Sequence, residues 1–95
     1  MALIRKYFPE DTHRAVEVAK CESGLNPDAT NTKNKNGTID GGLFQLNSSH
    51  DKRMEALGLD KYDPEDNVRF ARLLYDEQGW KPWVCAGSRF LSFNN

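Results

Sequence analysis

The chain lacks any apolar run long enough to cross a bilayer, and it lacks an excess of charge of either sign. Thirteen of its 95 residues are Lys or Arg and 14 are Asp or Glu, a formal net charge of −1. Nucleic-acid binding usually shows a basic excess, so neither a nucleic-acid nor a membrane partner is expected. The opening Met1-Ala2-Leu3-Ile4-Arg5-Lys6-Tyr7-Phe8 has no apolar core of a signal peptide. The expectation is a chain without an export signal of its own, or a portion of a longer protein. Histidine is scarce too: His13 and His50 stand far apart, and neither Cys21 nor Cys85 has a CxxC neighbour, which argues against zinc. The acids Asp60, Asp63, Glu65 and Asp66 lack the spacing and central Gly of an EF-hand loop, and helix capping accounts for three of them. No metal and no cofactor is expected. The two cysteines allow one disulfide closing a large loop, which would suit a small domain working outside the cytoplasm, or two buried thiols. A hydrophobic share of 38% leaves a modest core, and the length predicts one domain over residues 1–95, expected to be a monomer.

What the chain does contain is punctuation. Pro9-Glu10-Asp11-Thr12 reads as a helix start, with a helix from about Glu10 to Ser23 that Asn26-Pro27 stops. The polar stretch from Asn26 to Asp40 contains Asn36-Gly37, a type I′ turn signal. Thr30-Asn31-Thr32 and Thr38-Ile39-Asp40 are then the arms of a small hairpin. Gly41-Gly42 allows a close turn into Leu43–Asn47, expected as a short helix, and a further helical piece covers about His50 to Leu57 before Gly58. Asp63-Pro64-Glu65-Asp66 is a second helix start. That helix reaches about Gln78, with Val68, Ala71, Leu74 and Tyr75 on one face and Gly79 as its stop. The fold class is α+β, mostly α, with a hairpin beside a cleft.

Glu22 stands out. Ala15, Val18, Ala19 and Glu22 recur at helical spacing, so the carboxylate shares an apolar stripe. Desolvation there should raise its pKa, which suits a proton donor near neutrality. The alternative is a Glu that reaches solvent from the last helical turn. Asp40 closes the second arm of the hairpin in a polar setting, where a carboxylate stays ionised; it also suits a turn-forming Asp before Gly-Gly. A helix end facing a hairpin places two carboxylates in unlike environments on either side of a cleft, the acid/base pattern of glycoside cleavage.

Cys21-Glu22-Ser23 through Asn31, followed by Asp40-Gly41-Gly42-Leu43-Phe44-Gln45-Leu46-Asn47-Ser48, closely resembles the active-site half of the lysozyme superfamily. Glu-Ser-Gly-Leu-Asn-Pro-x-Ala and Asp63-Pro64-Glu65-Asp66-Asn67-Val68 also resemble bacterial and phage lytic transglycosylases. The resemblance implies a lysozyme-like fold. It implies Glu22 as general acid and Asp40 as second carboxylate. Lysozymes are the type case for these two roles, so the roles come with the resemblance. By the same match Gln45, Asn47 and Asn31 line the sugar cleft. Trp80 resembles a cleft tryptophan near the acid, Trp83 would add an apolar wall, and Tyr75 resembles a helix tyrosine that approaches the acid. Core packing is the other reading of these three aromatics.

The chain departs from animal lysozymes in its short length, in lacking a four-disulfide framework, in a longer hairpin and in Gly41 where an aromatic is usual. These departures point to a compact phage or bacterial enzyme. The implied partner is the glycan strand of peptidoglycan, and the implied place of action is the bacterial cell wall, whether periplasmic, extracellular or virion-associated. The implied activity is a muramidase cutting the β-1,4 bond between N-acetylmuramic acid and N-acetylglucosamine. The alternatives are a lytic transglycosylase using Glu22 alone, giving 1,6-anhydro products, and a non-catalytic glycan-binding or virion structural module.

Overall fold

The computed structural model describes residues 2–85. Its helices are α1 (Ala2–Tyr7), α2 (Thr12–Ser23), α3 (Asp51–Ala56) and α4 (Pro64–Gln78), and its strands are β1 (Thr30–Asn31), β2 (Asp40–Gly41) and β3 (Leu46–Asn47). A 3₁₀ turn, Ser48–His50, leads into α3. The architecture is mostly helical α+β. Among the described residues no helix is long and apolar enough to cross a membrane.

The capping residues act where the sequence places them in α4. Asp63 accepts from the Asp66 N–H at 3.0 Å, Pro64 occupies the first turn where its missing N–H costs nothing, and Gly79 ends the helix at φ 65°. α2 begins two residues later than expected. It ends at Gly24, whose left-handed backbone (φ 66°) sends its N–H to Lys20 O. The stop is therefore this glycine, ahead of Asn26-Pro27.

α1 is an addition to the sequence reading. At six residues it is too short to hold itself together, and its order comes from packing. Ile4 and the following Phe8 are buried, and Lys6 and Tyr7 both donate to Glu65 on α4 at 2.6 and 2.7 Å. The core joins these to Ala15, Val18 and Ala19 of α2, to Leu43, Phe44, Leu46 and Met54, to Val68, Phe70, Ala71 and Leu74 of α4, and to Trp83.

The sheet corrects two expectations. It has three antiparallel strands in the order β1-β2-β3, and the outer arm is paired only at Thr30–Asn31. Residues 43–47 are not helical. Gly42 (φ 81°) and Gln45 (φ 49°) are both left-handed, which breaks any helix, and the chain turns tightly and returns as β3. The turn near Asn36-Gly37 is not type I′ either, since Gly37 has positive φ and Asn36 does not. It closes by Gly37 N–H to Asn34 O at 3.2 Å, and the Asn36 carboxamide accepts from Thr38 N–H at 3.1 Å. A side chain there supplies what a second left-handed residue would have supplied.

Register sets the functional face. Asp40 pairs with Asn31 on one side and Asn47 on the other. Residues directly opposite on neighbouring strands share a face, so two amides flank one carboxylate.

Candidate active site

Glu22 lies in the last turn of α2, one turn beyond the buried Val18 and Ala19. The helix stripe that carries those residues into the core brings Glu22 to its edge, half-buried. Burial pushes its carboxyl pKa above the usual carboxylate range. The Cys85 N–H, donating to Oε2 at 3.4 Å, works against that rise, and the charge of Asp40 adds to it. Cys85 is held there by a disulfide to Cys21, the residue before Glu22, with Cα atoms 6.2 Å apart.

Asp40 and Glu22 both line a cleft of about 200 Å³. Its carboxylate is framed by three amides. Asn47 donates to Oδ1 at 2.9 Å, and Asn34 and Asn31 donate to Oδ2 at 3.0 and 3.4 Å. Thr38 ties the frame together, accepting on its Oγ1 from both Asn47 and Asn34. Bonds of this kind to a carboxylate fix its direction as well as its place.

The cleft is lined by Glu22, Asp40, Gln45, Asn47 and Trp83, with Leu46, His50, Leu74, Pro82 and Val84. It is smaller than the roughly 300–1,000 Å³ pockets that enclose a whole drug-sized ligand. Gln45 lines it while its Nε2 donates to Ala29 O and Gly42 O, both at 3.0 Å. The Asn47 oxygen accepts from Ser49 N–H at 3.0 Å and caps the 3₁₀ turn. Asn31 is off the cleft wall and reaches it through Asp40. Trp83 is 4% exposed, and its indole N–H donates to Phe44 O at 3.0 Å, which leaves it as a fixed apolar wall.

Tyr75 and Trp80 are not on this lining. Their rings pack 4.7 Å apart, and both lie against Phe8 at 5.6 Å. The Trp80 indole N–H donates to Asp11 at 3.3 Å. Trp80 meets Trp83, a residue of the cleft wall, edge-on at 5.5 Å.

The sequence reading did not single out Asn34, His50 or Asn67. Asn34 lies in a run of Asn, Thr and Lys that offered no means of ranking one amide over another. His50 is on the cleft wall, its ring 5.4 Å from Phe70. Burial lowers its pKa, Arg53 and Lys61 lower it further, and Asp51 and Glu77 act the other way. Among the described residues no group of three or more His, Cys, Asp or Glu is placed to hold a metal ion.

Residues 6–85 match the family described as the lysozyme like domain. Lysozyme c-1 of Anopheles gambiae is 34% identical over 71 residues, which cover 65% of this chain and 50% of that protein. The chain thus spans about half the length of the curated relative it matches.

Proposed function

The chain belongs to the lysozyme-like domain family, and from that premise we propose that it cleaves the β-1,4 bond between N-acetylmuramic acid and N-acetylglucosamine in peptidoglycan by hydrolysis. The observation that carries this reading is the pair Glu22 and Asp40 on one cleft, the first desolvated with a raised pKa and the second framed by three amides. Two carboxyl groups in such unlike settings divide the work of glycoside cleavage. Protonated Glu22 gives its proton to the bridging oxygen as the C1–O bond breaks. Asp40 stabilises the oxocarbenium-like centre, or attacks it. Water then adds to C1, and Glu22 takes back the proton. Trp83 supplies an apolar face for a sugar ring, and Asn31 and Asn47 act by holding Asp40. The relative's name, a lysozyme, is in keeping with this chemistry.

Glu22→Gln keeps the shape and an acceptor for Cys85 N–H but carries no transferable proton. Turnover of purified peptidoglycan should fall by about a hundredfold or more, with the circular dichroism unchanged. Asp40→Asn should cost a hydrolase a similar order. Retention of most activity by Glu22→Gln would remove the enzyme reading in favour of a glycan-binding module. Retention by Asp40→Asn alone would favour lytic transglycosylation, in which the muramic 6-hydroxyl attacks C1.

A further inference from the structure

Asn67 is a buried polar side chain in the apolar core, 1% exposed on α4. Its Oδ1 accepts from Phe44 N–H at 2.9 Å, and its Nδ2 donates to Gly41 O at 3.2 Å and to Lys61 O at 2.9 Å. Two acceptors on one side and a donor on the other fix which end of the amide is which. The partners also occupy both of its hydrogens. An Asp would have no donor for the two carbonyls, and a Leu would have no polar group at all.

The placement of those partners matters more than their number. Gly41 ends β2, and Phe44 lies in the turn that follows, which closes by Gln45 N–H to Gly42 O at 3.0 Å. Asp40 precedes Gly41 and Gln45 follows Phe44, and both line the cleft. One side chain therefore holds the backbone on both sides of Gly42-Leu43, between two cleft residues. Gln45 keeps a left-handed backbone, φ 49°, unfavourable for a residue with a Cβ and maintained only where surroundings hold it. Asn67 holds it from the preceding residue, and the Gln45 carboxamide holds it from Ala29 O and Gly42 O. The approach is possible because residue 42 is glycine. A Cβ there would come within 2.1 Å of Asn67 Nδ2. On the far side, Lys61 O ties the same amide to the loop whose Tyr62 hydroxyl lies 3.0 Å from Thr30 Oγ1, on the strand beside β2.

We propose that Asn67 is a positioning residue of the cleft, setting Asp40 and Gln45 through the backbone of Gly41 and Phe44 without touching substrate. The kinetic part of its test rests on the function proposed for Asp40; the spectroscopic part does not. Asn67→Asp keeps an acceptor for Phe44 N–H and loses both donations. Gly42→Ala pushes the turn off an intact Asn67 and serves the same comparison if the Asn67 variants do not fold. Ala71→Gly, one turn along α4, is the control that weakens the helix and leaves Asn67 and its three hydrogen bonds in place.

The readouts are the side-chain amide NMR resonances of Asn34 and Asn47, which report on Asp40, and kcat and KM well below each variant's Tm. Asn67→Asp should shift both resonances and lower kcat about tenfold or more, with KM moving less than about threefold. Ala71→Gly should lower Tm and leave both readouts in place. Asn67→Asp and Gly42→Ala spectra and kcat indistinguishable from those of Ala71→Gly would overturn the proposal. Shifted resonances with kcat untouched in both Asn67→Asp and Asp40→Asn would sustain Asn67 as the positioner and remove Asp40 from the chemistry.

Discussion

Glu22 has a folded-state pKa raised chiefly by burial, so the folded chain binds that proton more tightly than the unfolded chain does. Its contribution to stability is therefore fully present below the ordinary value of 4.5 and is lost as pH rises through the raised one. Glu22→Gln cannot ionise and keeps an acceptor for Cys85 N–H. It should be more stable than the native chain at about pH 7, with the gap closing toward about pH 4. Urea denaturation at both ends of that window checks this; a variant less stable at the upper end would contradict it. That Glu22 and Asp40 would line one cleft was legible in the sequence, Glu22 from its apolar stripe and Asp40 from its place at the end of a polar hairpin arm. Asn34, which donates to Asp40, and Asn67 were not. Asn67 acts on Phe44 and Gly41 from 23 and 26 positions away; it stands in the Asp63–Val68 segment that carries the resemblance, but that segment does not say which distant backbone its amide meets. Tyr75 and Trp80 show the same limit from the other side. Their residue types suited a cleft, and the sequence could not show that their rings pack on Phe8.

At the scale of elements, the end of α2 and the segment 82–85 act as one unit. Pro82, Trp83 and Val84 line the cleft, Cys85 N–H reaches Glu22, and the disulfide joins Cys85 to the residue beside Glu22. The bond spans a sequence separation of 64, for which chain entropy gives a stabilisation of about 4 kcal/mol. Cys21→Ser/Cys85→Ser should lower Tm by roughly 15–30 °C. Turnover should also fall at temperatures where the variant is still folded, because one wall of the cleft is no longer tethered to α2. A thermal melt and an activity assay decide it; an unchanged Tm would show that the bridge contributes nothing. α4 could be bounded from its caps because they are local signals that its packing does not override. α1 and β3 could not be read, for opposite physical reasons. α1 is too short to show a period, and the sequence of residues 43–47 suits a short helix until the left-handed Gln45 and the pairing with β2 forbid it.

Across the whole molecule a run of aromatic contacts connects the parts that surround the cleft. Phe8 stacks on Phe44 and Trp80, Phe44 meets Trp83 edge-on at 5.8 Å, and Trp83 meets Trp80. The segment after α1, the 41–45 turn and the segment after α4 thereby share one packed centre, with the cleft at its margin. Arg72 braces the outside of this centre. It pairs with Glu10 and Asp76, donates to Tyr7 O, and lies over the Phe8 and Tyr75 rings. The result is a frame in which Glu22 comes from a helix end and Asp40 from a sheet, on supports that do not share a strand or a helix. Such a frame keeps two carboxyl groups in separate environments, which is the basis of the hydrolytic reading. Its most direct test is mass spectrometry of the muropeptides that the chain releases from purified peptidoglycan, with Glu22→Gln in parallel. Products ending in reducing N-acetylmuramic acid are expected of hydrolysis, lower by about a hundredfold or more from Glu22→Gln. Products ending in 1,6-anhydro-muramic acid, lighter by one water, would contradict it and leave Asp40 a structural role.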